Sequence, residues 1–141
     1  MDYIKLTEYL QSLESTSKRL EKTYIITRLL HESKKEEDIT QVFSLLTGKV
    51  FPAWDERKIG VSDKLVMKAL ASSTGNSPEK ILKLFTKTGD LGLVAEELTK
   101  DKKQTTLFSK KLTVNFVYDK IRELAELEGQ GTVSRKIGLI S

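Results

Sequence analysis

The chain has 141 residues, 38% hydrophobic and 31% charged, with a formal net charge of +4 and no cysteine. That is the size of one ordinary domain, with enough apolar content to bury a core, and it excludes disulfides and thiolate metal sites. No apolar run approaches the roughly 20 residues of a membrane span, and "MDYIKLTEYL" lacks the basic-then-apolar pattern of a secretory leader, so a cytoplasmic location is expected.

The hydrophobic period is helical from the start. Tyr3, Leu6, Leu10 and Leu13 fall on one stripe, with Lys5, Glu8 and Gln11 turned away. Leu20, Tyr24, Ile25 and Leu29 repeat the pattern over residues 18 to 31. Ser33 and Glu36 have the spacing of a capping box, followed by the apolar face Ile39, Val42, Phe43 and Leu46. Gly48 and Pro52 bracket "GKVFPAWDERKIG", a non-helical stretch whose Phe51 and Trp54 are expected to fold back onto the core.

Ser62 opens a helix through Leu65, Val66, Ala69 and Leu70 that ends at "SSTGNSP". Ser77 followed by Pro78 reads as an N-cap with proline at the first helical position. That helix carries Ile81, Leu82 and Phe85, and Gly89 stops it. Asp90 caps a short helix with Leu91, Val94, Ala95 and Leu98. Thr113 caps a longer one through Val114, Val117, Ile121, Leu124 and Ala125, which Gly129 ends, and Thr132 begins a last helix. No strand pattern competes with these. The expected fold is all-α, a compact bundle of about eight short helices with short connectors, forming a single domain over residues 1–141.

Catalytic constellations are missing. The one histidine, His31, lies near the polar end of a helix and has no cysteine to partner it. The acids of "EEDI" suit a helix start and come with no metal-ligand spacing. No phosphate-binding glycine loop with its lysine is present, and "TGDLG" matches no dinucleotide fingerprint. No catalytic or metal-binding residue is therefore assigned, and the chain reads as a binding module.

Two segments could bind an anion. Residues 100 to 111, "KDKKQTTLFSKK", hold five lysines and one aspartate, leaving basic and acidic residues equal at 19 each elsewhere. Lys102 and Lys103 could neutralise phosphates and Thr106 could donate to them; the segment reads equally as a solvated lysine-rich loop. The second is "GQGTVSRKI". Gly129 and Gly131 permit close approach of a ligand, Thr132 at the N-cap leaves the amides of Val133, Ser134 and Arg135 free, and Arg135 and Lys136 add charge. Its plain reading is a helix stop and start with ordinary capping.

The runs "LESTSKRLEKT", "GKVFPAWDERKIGVSDKL", "TGDLGLVAEEL", "LTVNFVYDKIRELAELEG" and "GTVSRKI", in this order, resemble the N-terminal DNA-binding domain of ATP-dependent DNA ligases of the archaeal and eukaryotic replicative type. The match begins at Met1, which fits the archaeal type. The resemblance implies an all-helical module that grips the minor groove and backbone of nicked double-stranded DNA, in replication, repair and recombination. In the family, a nucleotidyltransferase domain and an OB-fold domain complete a ring around the DNA.

The family's catalytic lysine lies in a K-x-D-G motif, absent from this sequence. ATP and magnesium are thus implied for a full-length ligase and no cofactor for residues 1–141. The family's helical domain continues past "GTVSRKI", so the chain is expected to be its N-terminal piece, in a nucleoid-associated archaeal enzyme. Carried over residue by residue, the resemblance makes Gly129, Gly131, Thr132, Arg135 and Lys136 a DNA-backbone contact, with Lys102, Lys103 and Thr106 as a more variable one. It makes Asp90 a cap and Gly92 an aid to close helix packing. Contact with a sliding clamp is left open, since no paired-aromatic clamp peptide is evident. The alternative is a helical module docking an acidic protein.

Overall fold

A computed structural model describes residues 1–34, 36–55, 59–100, 111–127 and 132–141, with backbone alone at 36, 37 and 132. Eight helices are present among the described residues: α1 (Tyr3–Glu14), α2 (Arg19–Glu32), α3 (Glu36–Thr47), α4 (Asp63–Thr74), α5 (Pro78–Thr88), α6 (Leu91–Thr99), α7 (Val114–Glu126) and α8 (Thr132–Ile140). The only β-pairing among them is an isolated antiparallel bridge between Asp2 and Thr113. The expected all-α class is therefore found. The chain divides into two compact units, Met1–Arg57 with Lys110–Glu123, and Lys58–Ser109 with Leu124–Ser141.

In the first unit α1 packs on α2. Leu6, Leu29, Val42 and Val114 are fully buried together, with Met1, Tyr3, Tyr9, Leu10 and Leu45 packed around them. Between α1 and α2 the turn is held by Thr16, whose hydroxyl accepts from the Lys18 amide at 3.2 Å and donates to the Glu21 carboxylate. The N-terminus is strapped to the start of α7. The Tyr3 amide donates to Leu112 O and the Val114 amide to Met1 O, each at 2.9 Å. Lys111 Nζ lies 2.9 Å from the Asp2 carboxylate, which holds that carboxyl below its ordinary pKa. Along α7, Arg122 donates to the Tyr118 hydroxyl at 3.1 Å, and that hydroxyl donates to Val50 O at 3.4 Å.

Four expectations fail here, the first at Phe43 on the apolar face of α3, which is 55% exposed. Leu20 and Tyr24, placed on the apolar stripe of α2, are 84% and 64% exposed, and Leu29 alone of that helix is buried. Phe51 folds in as expected, but Trp54 is 82% exposed. Ser33 stands at the end of α2, three positions before α3 begins, and its buried hydroxyl donates back to Leu29 O at 3.1 Å.

The second unit packs α4 against α5, α6 and α8, and α5 against α6. Its core is Leu70, Ile81 and Val94, with Val66, Met67, Leu84, Phe85 and Leu98 among the side chains around it. The caps follow the sequence closely. Ser62 Oγ accepts from the Leu65 amide and Ser77 Oγ from the Lys80 amide, each at 3.3 Å. Gly75 and Gly89 end α4 and α5 at φ 71° and 70°, in the left-handed region where a side chain is unfavourable.

Asp90 Oδ1 caps α6 by accepting from the amides of Gly92 at 2.7 Å and Leu93 at 3.2 Å. Gly92 is not a helix-packing glycine. A Cβ there would meet Asp90 Oδ1 at 2.9 Å and, within 4 Å among the described residues, nothing from another helix, so its small size leaves room for the cap.

Candidate nucleic-acid interface

The site is built on α8, in the second unit. The sequence "TVSRKIGLI" puts Ile137, Leu139 and Ile140 in partly buried positions and leaves Val133, Ser134 and Arg135 exposed. Burial of the apolar positions against α4 sets the helix, since nine residues would be marginal in isolation. Its end is pinned by Ser141. The Ser141 amide donates to Ile137 O at 2.9 Å. The Ser141 hydroxyl lies 2.6 Å from Ile137 O and 3.3 Å from Ala69 O on α4.

The basic pair splits into two roles. Lys136 is partly buried, and its Nζ donates to Gly60 O at 3.1 Å, just ahead of the Ser62 cap that opens α4. Gly60 has φ 64°, which turns the chain there. Arg135 is exposed on the first turn of α8. A planar guanidinium with five donors, beside first-turn amides whose partial positive charge is not cancelled by the helix, suits a phosphate oxygen.

The helix starts at Thr132, the expected cap, and so one residue earlier than expected. The first-turn amides are then those of Thr132, Val133 and Ser134 rather than Val133 to Arg135. Gly129 and Gly131 lie outside the described residues, as do Lys102, Lys103 and Thr106 of the lysine-rich segment. At the edges of that segment, Lys100 follows α6 and is exposed, while Lys111 is engaged with Asp2. Gly60 carried no signal in the sequence, because a carbonyl 76 residues from its donor leaves no local pattern.

Other chemistry is sparse among the described residues. No group of three or more His, Asp or Glu side chains is placed to hold a metal ion. His31 is exposed in the last turn of α2, where a cationic or polar side chain suits the helix end. One cluster of shifted groups is structural. Glu32 on α2 is held below its ordinary pKa by the neighbouring Tyr9 hydroxyl and by Lys5, whose Nζ lies 3.1 Å away. No helix among the described residues is long and apolar enough to cross a membrane.

The sequence family described as DNA ligase N terminus matches residues 2–141. The chain is 44% identical over 138 residues, 98% of its own length, to a DNA ligase of Methanothermobacter thermautotrophicus. It is 40% identical over 140 residues, 99% of its length, to a DNA ligase of Methanobrevibacter smithii. To a DNA ligase of Archaeoglobus fulgidus it is 40% identical over its whole length. In each case the chain spans 25% of the relative's own length. With a family match over nearly every residue and an all-helical fold, the chain belongs to the DNA ligase N-terminal family.

Proposed function

We propose that residues 1–141 form the N-terminal part of the helical DNA-binding domain of an archaeal-type, ATP-dependent DNA ligase. The module grips the minor groove and backbone of duplex DNA around a nick, so that catalytic domains elsewhere in the ligase can seal it. The observation that carries this is Arg135, exposed on the first turn of α8 in a chain that belongs to the DNA ligase N-terminal family. A guanidinium beside the first-turn amides of a helix suits a phosphate. Such contacts position a protein on DNA without reading bases.

Gly129, Gly131 and Thr132 belong to the same proposed contact, which Lys136 supports by tying α8 to Gly60 O, with Lys102, Lys103 and Thr106 as a second, weaker one. The sequence has no K-x-D-G, so the lysine that takes AMP from ATP, with the magnesium it needs, is assigned to another part of the ligase polypeptide. In replication, repair and recombination the module's share is to hold the nicked duplex.

Fluorescence anisotropy with a labelled nicked duplex tests the reading. Binding is expected to be similar on unrelated sequences and to fall steeply with salt, by about 0.9 in log K per log salt for each phosphate neutralised. No binding at low salt, or binding that ignores salt, would overturn it, and a module that docks only proteins would give the first result.

A further inference from the structure

A second cationic surface lies in the same unit, on α5. After Glu79 in its first turn, every charged residue of that helix is a lysine: Lys80, Lys83 and Lys87, all exposed. At about 100° per residue the three fall within an arc of roughly 60°, spread over about 10 Å of helix axis. Buried Ile81 and partly buried Leu84, Phe85 and Thr88 take a separate arc, centred about 120° from the lysines.

None of the three lysines is ion-paired with a described residue, whereas Lys5, Lys18, Lys111 and Lys120 each are. Lys80 spends one donor on Asn76 Oδ1 at 3.1 Å, and an ammonium has two more.

Ordinary helix electrostatics does not account for this stripe. Lys87 in the last turn suits the helix dipole, but Lys80 in the first turn opposes it, and Lys83 sits between the two ends. The neighbouring α4 repeats the pattern, with Asp63 in its first turn and then exposed Lys64 and Lys68. On both helices the acids stand only where the dipole favours them, and the exposed flanks are left to lysine.

We infer that the Lys80, Lys83 and Lys87 face of α5 is a second contact for DNA phosphates, separate from the first turn of α8. The inference rests on the DNA-binding reading above. Both helices pack on α4, so one compact unit carries both contacts. A stripe about 10 Å long faces several phosphates, since duplex DNA carries one charge per roughly 1.7 Å of axis.

The test uses the 141-residue chain and a labelled nicked duplex in two unrelated sequences, titrated across a salt series. Lys80→Ala, Lys83→Ala and Lys87→Ala are combined; alanine favours helix, so α5 keeps its fold, and circular dichroism confirms it. Affinity should fall by the same factor on both sequences. The salt slope should flatten by up to about 2.7, at about 0.9 per lysine. The triple arginine variant should keep the wild-type slope.

If the alanine variant keeps wild-type affinity and slope while Arg135→Ala weakens binding, the α5 contact is wrong and the DNA-binding reading stands. Weaker binding with an unchanged slope also overturns the α5 contact. A wild-type chain that does not bind at all removes both.

Discussion

Lys136 Nζ donates to Gly60 O at 3.1 Å, which ties the middle of α8 to the turn that precedes α4. Its sequence neighbour Arg135 is exposed. Two adjacent cations that look equivalent in sequence therefore stand in different surroundings. Arg135→Ala is expected to weaken binding to nicked duplex on every sequence and to flatten the salt slope by about 0.9. Lys136→Ala should instead cost about 0.5–1.5 kcal/mol of stability, the usual net worth of one hydrogen bond, with a smaller effect on DNA. Anisotropy and thermal melting on both variants check the division; equal losses of affinity with no loss of stability would contradict it.

Asp90 holds two first-turn amides of α6 with one carboxylate oxygen. Asp90→Ala should destabilise the protein by about 1 kcal/mol, within the range of about 0.5–2 for a lost N-cap. Asp90→Asn should recover most of it, because an amide oxygen accepts the same bonds. Urea denaturation of the two variants measures the difference.

Gly92→Ala sets helix propensity against the same cap. Alanine favours a helix interior by about 0.8–1 kcal/mol over glycine, but the new Cβ would crowd Asp90 Oδ1 at 2.9 Å. In an Asp90→Ala background the crowding is gone. Gly92→Ala should therefore be more favourable there than in the wild type, and a double-mutant cycle by denaturation reads the coupling.

Within α2, burial separates residues of one type. Leu29 is fully buried and Leu20 is 84% exposed. Leu29→Ala is expected to cost about 2–5 kcal/mol, and Leu20→Ala to stay within about 0.5 kcal/mol. Melting curves for the pair test the packing of the first unit directly.

The α1–α2 contact should respond to pH from both sides. Glu32 has a lowered pKa in the fold, so the unfolded chain takes up its proton first on acidification. The stabilisation is present above the ordinary glutamate range and is lost as pH falls through the lower, folded value. Lys5 and Tyr9 have raised pKa values, Lys5 through its bond to Glu32 and Tyr9 chiefly through burial. Their contribution is present below their ordinary values and is lost as pH rises through the folded ones. Glu32→Gln should flatten the acid limb of a stability–pH profile, and an unchanged limb would assign acid sensitivity elsewhere.

Local chemistry was legible in the sequence. Ser62, Ser77 with Pro78, Asp90 and Thr113 each satisfy amides a few residues away, and Gly89 ends its helix at a positive φ. The backbone groups that a cap serves lie within one turn of it, so a short window of sequence contains the whole interaction. The helical period and the basic pair on α8 were readable for the same reason.

Tertiary structure decided which parts of each apolar stripe meet a partner. It buried Leu29 and Phe51 and left Leu20, Tyr24 and Trp54 exposed. It turned Ser33 back onto α2 and gave Gly92 to the Asp90 cap. It joined Lys136 to Gly60 across 76 residues and Lys111 to Asp2 across 109. Burial and long-range bonds depend on surfaces supplied by distant segments, and no local spacing encodes them.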